Sequence, residues 1–192
     1  MTVRWAENNP GCTFSADDDG KYRYGIWTDD LGVIIAVDAD EVRKAKLRVE
    51  PLFAVFVTVR YRGREQVSIN SADFTLEFVN HYHSLRKAIS PDEFADKLQV
   101  EAPALAAKGQ EDRSRSLTET ARFLRSRSLR VTRLDPLTTE ASGWVFFNAK
   151  SKWIGDWKSQ EQFVLRVPVA DRTLEFPFAL PPSRGDLLLR RR

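Results

Sequence analysis

The chain has 192 residues and a hydrophobic fraction of 42%, so it is long and apolar enough to bury a core without disulfides or a structural metal. Its 30 Lys and Arg residues against 27 Asp and Glu residues give a net charge of +3, a weak long-range field that indicates no particular partner. Cys12 is the single cysteine, which excludes an internal disulfide and zinc sites that need several thiolates. No stretch approaches the roughly 20 apolar residues of a membrane span, and the first residues as written lack the apolar core of a secretory signal peptide.

The first part of the chain predicts strands joined by tight turns. Apolar residues alternate over 22–26, as in a strand with one buried face. The apolar run 33–37 is typical of a strand buried on both faces, and the polar link before it predicts a hairpin. Residues 17–20 have the clustered carboxylates of a calcium loop, but counting from Ser15 places Ile26 where a bidentate Glu should stand. We therefore interpret them as a hairpin turn.

Two further strands are predicted before the middle of the chain. The first points one set of apolar residues inward: Val55, Val57, Val59 and Tyr61. The second does the same with Phe74, Leu76 and Phe78. His81 and His83 follow at a spacing that some metal sites on sheets use, but no third ligand is identifiable. We interpret them as turn or strand-end residues, and we predict neither a metal nor a cofactor.

A helical insertion is predicted over 90–127. Ser90 and Pro91 form a helix start, with acidic residues following against the helix dipole. Pro103 is expected to end or kink this helix, and Gly109 is a candidate break within a second helical segment over 104–127. The apolar stripe is narrow, so we expect the insertion to lie over the β-rich part with its Arg-rich side in solvent.

The last part of the chain predicts three more strands and a tail. Residues 143–147 form one strand, and alternation over 163–169 and 174–180 predicts two others. Pro168 and Pro177 cannot donate to a ladder, so these two strands should lie at an edge or carry bulges.

Together the elements predict a mainly β fold, an immunoglobulin-like antiparallel β-sandwich with a helical insertion. We expect a single domain over 1–192: strands over 13–89, the insertion over 90–127, strands over 128–182 and a basic tail over 183–192.

Two blocks of sequence carry a resemblance. The first is a valine-rich strand over 56–59, followed by 67–70 and a Phe-x-Leu strand over 73–76; the second is a Gly-x-x-x-Phe strand over 142–147, followed by an apolar strand over 163–168. In this order they resemble uncharacterised bacterial envelope and lipoprotein domains with an immunoglobulin-like sandwich. The resemblance implies an envelope location. The chain departs from it because no signal peptide or lipidation site is present as written, so the compartment stays open.

Trp153 and Trp157 are the candidate ligand or partner surface. They flank Gly155 in the loop between two predicted strands, and exposed Trp often marks a surface that binds sugar rings or a partner protein. The alternative is that one or both fold back and cover the open end of the sandwich.

No catalytic constellation accompanies these features, so we expect a protein that is not an enzyme. The leading hypothesis is a binding or structural module of the cell envelope with a protein or glycan partner. The alternative is a cytoplasmic protein that contacts nucleic acid or an acidic partner through the Arg-rich insertion. The densest basic run begins in the insertion and continues beyond it: Arg122, Arg125, Arg127, Arg130 and Arg133. No nucleic-acid motif accompanies these arginines, so we expect nucleic acid less than a protein partner. The oligomeric state stays open.

Overall fold

The computed structural model describes residues 1–16, 21–38, 52–150, 153 and 160–180. The predicted turn at 17–20, Trp157 and the predicted tail at 183–192 lie outside these residues. Within them the fold is mainly β, with two helices inserted between strands.

In the part of the chain that the structure describes, twelve strands form two five-stranded sheets and one two-stranded sheet. The strands are β1 Thr2–Arg4, β2 Cys12–Ala16, β3 Lys21–Trp27, β4 Leu31–Asp38, β5 Leu52–Tyr61, β6 Val67–Ile69, β7 Thr75–Phe78, β8 Ser84–Lys87, β9 Thr132–Leu134, β10 Glu140–Asn148, β11 Glu161–Val169 and β12 Arg172–Leu180. Sheet A has the order β1-β12-β11-β7-β8, sheet B has the order β10-β5-β4-β3-β2, and β6 pairs with β9. Every pair is antiparallel except β1 with β12. Strand β1 was not predicted from the sequence.

Sheets A and B share one apolar core. The ring of Phe53 in β5 lies 4.8 Å from that of Phe163 in β11 and 5.9 Å from that of Phe78 in β7. Tyr24 in β3 lies 6.0 Å from Phe178 in β12. Each pair joins a strand of one sheet to a strand of the other, so the inward residues of both sheets form a single cluster.

The predicted alternation is confirmed along the long strands. In β5 the four residues predicted to face inward are buried, whereas Arg60 on the opposite face is exposed. The apolar run 33–37 is nearly continuously buried, and β4 lies in the middle of sheet B. A strand with neighbours on both edges and cover on both faces needs apolar residues at successive positions.

The prediction for Pro168 and Pro177 is wrong. Both β11 and β12 are interior strands, and their pairing is continuous without a bulge. The N–H of Thr173 in β12 donates to Met1, so alternate residues of β12 point towards β1, and Pro177 shares that direction. Strand β1 stops opposite Glu175, so the missing N–H of Pro177 has no strand to bond. Pro168 likewise lies beyond the end of β7, whose pairing with β11 stops at Arg166.

The insertion is a helical hairpin of α1 (Pro91–Ala107) and α2 (Glu111–Arg127). Gly109, with a φ of 75°, lies between them, so the break predicted within the second segment is the boundary of the two helices, and residues 104–107 belong to α1. Pro103 does not end α1, which continues to Ala107. The helix starts where predicted, although the Ser90 hydroxyl makes no capping hydrogen bond.

The helical hairpin covers the outer face of sheet B. Leu52 of β5 and Phe146 of β10 point away from the core shared with sheet A. They form a second apolar cluster with residues of both helices: Ala95, Leu98, Ala102, Leu117, Ala121 and Leu124. The described structure therefore has three layers: the helices, sheet B and sheet A. None of the helices in the described ranges is long and apolar enough to cross a membrane.

Candidate binding surface at the β7–β8 hairpin

The hairpin between β7 and β8 turns through two bulky residues in the left-handed conformation. Phe78 pairs with Ser84, and the N–H of Ser84 donates to the carbonyl of His81 at 3.1 Å. Tyr82 and His83 lie between them with φ values of 56° and 52°. They are the central residues of a β-turn from His81 to Ser84 within the five-residue loop 79–83. A β-turn with two positive φ values is normally made by Asn-Gly or similar pairs. A bulky residue there is an outlier that costs on the order of 1–3 kcal/mol.

Surrounding contacts hold this turn in place. The Nδ1 of His83 lies 2.6 Å from Oε1 of Glu77 in β7. The Oδ1 of Asn80 accepts from the N–H of Gln162 in β11 at 2.6 Å. The Tyr82 side chain is left at 102% exposure, the highest value among the exposed large apolar side chains of the described residues. Leu85, on the same hairpin, is 56% exposed.

The hairpin is continuous with a row of charges across the outer face of sheet A. Arg4 donates to Glu175 at 2.8 Å, Arg166 donates to Glu175 at 2.9 Å and to Glu77 at 2.6 Å, and Glu77 contacts His83. These contacts between positive and negative side chains link β1, β12, β11 and β7 to one another and to the turn. The hydrogen bond from His83, followed by that from Arg166, lowers the pKa of Glu77 below its ordinary value of 4.5.

Trp153 is buried beside this hairpin instead of standing free. Its side chain is 7% exposed, and its ring stacks on His81 at 4.7 Å and lies 5.1 Å from Phe78. The side-chain cations of Arg86 and Lys150 lie 5.6 Å and 5.1 Å from the ring centroid. The structure therefore agrees with a tryptophan folded back over the end of the two sheets, and Trp153 offers no exposed ring face. Trp157 lies outside the described residues, so a partner surface there stays a prediction.

Two polar atoms beside Trp153 are buried without a hydrogen bond to any described residue. One is Nε2 of His81, which lies 3.1 Å from Oε2 of Glu161. That distance is within ion-pair range, whereas the geometry is not that of a hydrogen bond. The other is Nε of Arg86.

The two histidines do not converge on a common point. His81 contacts Glu161, whereas His83 contacts Glu77. Within the described ranges, no group of three or more His, Cys, Asp or Glu side chains is arranged to hold a metal ion.

No protein-family model and no curated protein matches the chain. Among solved structures, the chain is similar over 95% of its length to YcdA of Bacillus subtilis, a candidate lipoprotein, with 14% identity and a TM-score of 0.38. The chain spans 38% of the length of that protein. A likeness this low carries no argument about function.

Two arginines of the basic run at 122–133 form ion pairs with carboxylates of α1. Arg125 pairs with Asp96, and Arg130 makes a two-pronged contact with Asp92 at 2.6 and 3.0 Å. The contact with Arg130 lowers the pKa of Asp92. These pairs direct part of the basic charge back onto the helical hairpin and away from an external polyanion.

Sequence reasoning missed the hairpin surface for a definable reason. Tyr82 was part of the segment noted for its histidines, but its exposure depends on a turn type that its sequence does not favour. The outward positions of Glu77, Arg166 and Glu175 follow from alternation, whereas their mutual contacts depend on strand order and register.

Proposed function

We propose that this chain is a non-enzymatic binding module that presents the β7–β8 hairpin to a partner protein. The observation that carries the proposal is the fully exposed Tyr82 on a strained turn braced by Glu77 and Asn80. Strained backbone persists where the surroundings over-determine it, and such sites concentrate at binding positions. A backbone that neighbouring contacts already hold loses little conformational entropy on binding, and the tyrosine side chain supplies both apolar area and a hydroxyl.

Leu85 extends this surface and favours a protein partner over a sugar. An exposed tyrosine with a nearby exposed aliphatic side chain matches the anchors of protein interfaces, and the charges of Glu77 and Arg166 would lie at its rim. Because those charges are already paired with each other, they need not be desolvated singly when a partner approaches.

Affinity capture from an extract of the source organism tests the proposal. We expect the wild-type chain to retain a partner that Tyr82→Ala and Leu85→Ala each lose. Leu137→Ala is the matched control, because Leu137 is 94% exposed but belongs to the β9–β10 loop. Equal capture by all four proteins would contradict the proposal.

The proposal also includes an immunoglobulin-like fold and a location in the cell envelope. Two sheets around one core, antiparallel except where β1 joins β12, support an immunoglobulin-like sandwich, and the sequence resemblance supports a place in the bacterial cell envelope. Fractionation of the source organism tests the location: we expect the protein in the envelope fraction, and recovery with the cytoplasmic proteins would contradict it.

A further inference from the structure

An open groove lies at the end of sheet B where β5 finishes and β10 begins. It has a cavity volume of about 480 Å³ and is lined by residues of β5, the turn after it and the β9–β10 loop: Arg60, Tyr61, Arg62, Gly63, Pro136, Thr139 and Glu140. A volume of this size is within the range of small-molecule sites, roughly 300–1,000 Å³.

The groove is built by backbone contacts. The N–H of Tyr61 donates to the carbonyl of Thr139 at 2.8 Å, which fixes the β9–β10 loop against β5. The N–H of Arg62 donates to the carbonyl of Asp30 at 2.7 Å. The tip of the Tyr61 ring lies against Gly63, where a Cβ would collide with it. The walls are therefore held by main-chain bonds and by a glycine that a larger residue could not replace without displacing Tyr61.

Two guanidinium groups and one carboxylate line this groove. Arg60 donates to Glu140 at 2.8 Å, and both side chains are about half exposed. Arg62 is exposed and makes no side-chain ion pair or hydrogen bond with any residue that the structure describes. The lining carries a net positive charge, with one cation unengaged and a second held by a solvent-exposed pair that contributes little.

We propose that this groove binds a small molecule that carries a carboxylate or phosphate group. The guanidinium of Arg62 can donate two parallel hydrogen bonds to the oxygens of a carboxylate or phosphate. The guanidinium of Arg60 can donate two more when it turns away from Glu140. The exposed Pro136 provides an apolar surface for the body of the ligand. The groove lies at the opposite end of β5 from Phe53, which packs near the β7–β8 hairpin, so this site is independent of the partner surface there.

Titration of the full chain with three matched probes, followed by amide chemical shifts, tests the proposal. Benzoate and phenyl phosphate carry the two oxyanion types, and benzamide has the shape of benzoate without its charge. We expect one or both anions, but not benzamide, to shift the amides of Tyr61, Gly63 and Thr139. The arm that responds more strongly distinguishes a carboxylate ligand from a phosphate ligand.

Three variants locate the effect. Arg62→Gln should weaken binding roughly tenfold or more, as expected for one charge-assisted hydrogen bond. Arg64→Gln is the matched control, because Arg64 is exposed on the same turn but does not line the groove, and it should leave the affinity within about twofold of wild type. Glu140→Gln should tighten binding, because it removes the carboxylate that competes for Arg60.

Unchanged melting curves confirm that each variant folds. The proposal is overturned if no anion shifts these amides, if benzamide shifts them equally, or if Arg64→Gln weakens binding as much as Arg62→Gln.

Discussion

At the scale of single residues, Tyr82 and His83 are held in a conformation that their side chains disfavour. Cβ crowding makes the left-handed region costly for every residue except glycine and, to a lesser degree, Asn and Asp. His83 gains a contact with Glu77 in return, whereas the Tyr82 side chain contacts little because it is fully exposed. At Tyr82, the backbone conformation that exposes the side chain to a partner therefore lowers the stability of the fold.

The substitution Tyr82→Asn is expected to stabilise the fold. Asparagine tolerates a positive φ better than tyrosine does, and no packing is lost at an exposed site, so the free energy of unfolding should rise by about 0.5–1 kcal/mol. Chemical denaturation measures this change. The matched control is Tyr82→Phe, which keeps the backbone cost and should leave stability unchanged. A loss of stability in Tyr82→Asn would contradict the strained turn.

The carboxylate of Glu77 predicts a defined loss of stability in acid. Contacts with His83 and Arg166 lower its pKa in the folded state below the ordinary 4.5. Its contribution is therefore fully present above the ordinary pKa and disappears as the pH falls through the lowered folded value. At neutral pH, Glu77→Gln should cost about 1–3 kcal/mol.

The pH profile distinguishes this contribution from simple loss of packing. Denaturation between neutral pH and acid should show a smaller decline for Glu77→Gln than for wild type. Glu65→Gln, at an exposed position with no ion pair to a described residue, should follow the wild-type curve. Identical profiles for wild type and Glu77→Gln would contradict the assigned contacts.

At the scale of elements, Pro103 lies inside a helix that the sequence predicts to end or kink at this residue. It lies four residues before the end of α1, exposed, with no N–H to bond the carbonyl of Gln99. The apolar contacts of Ala102 and Leu105 with the second cluster hold this last turn in place. Packing therefore outweighs a local preference that would otherwise stop the helix.

The substitution Pro103→Ala is expected to raise the free energy of unfolding by roughly 1–3 kcal/mol, since it restores a hydrogen bond and removes the ring clash. Thermal unfolding measures the gain, and amide exchange should slow over the last turn of α1. Val100→Ala, at a position of the same helix that is 78% exposed, is the control and should change stability by less than about 1 kcal/mol. No gain in Pro103→Ala would indicate that this turn is not helical.

The sequence predicts those features of the fold that depend on neighbouring residues, and it does not predict those that depend on contacts between distant strands. Alternation in β5 and β12, and the helix start at Pro91, are local patterns, and both were predicted. The places of Pro168 and Pro177 depend on how far the neighbouring strands extend, which no local pattern carries.

The same limit applies to the candidate surface. The burial of Trp153 depends on His81 and Phe78, which lie 72 and 75 residues earlier in the chain. The exposure of Tyr82 depends on a turn that its residues disfavour. Residue types indicated an aromatic surface near this end, whereas the arrangement decided which ring is covered and which is free.

At the scale of the whole molecule, two apolar interfaces divide the work. Sheets A and B share the main core, and the helical hairpin covers the other face of sheet B. At one end, the guanidinium of Arg172 in β12 donates to both carboxylate oxygens of Asp30, at 2.6 and 3.1 Å, and this ties the β3–β4 turn to sheet A. At the other end, the β7–β8 hairpin projects from sheet A. Its base is therefore anchored in the core that the two sheets share.

The substitution Phe53→Ala tests whether the two sheets depend on each other. Its ring is fully buried against Phe78, Phe163 and Phe178, so we expect a loss of about 3–5 kcal/mol. Fluorescence and circular dichroism should report a single transition if the sheets unfold together. Two separate transitions would contradict a shared core.

Rigidity of the Tyr82 turn is what the proposed binding role requires, and backbone ¹⁵N relaxation of the free protein measures it most directly. A turn braced by Glu77 and Asn80 predicts order parameters near 0.85 for the Tyr82 and His83 amides, equal to those of the flanking strands. Values below about 0.6 at these two residues would mean a mobile loop, and would contradict a surface prepared in advance for its partner.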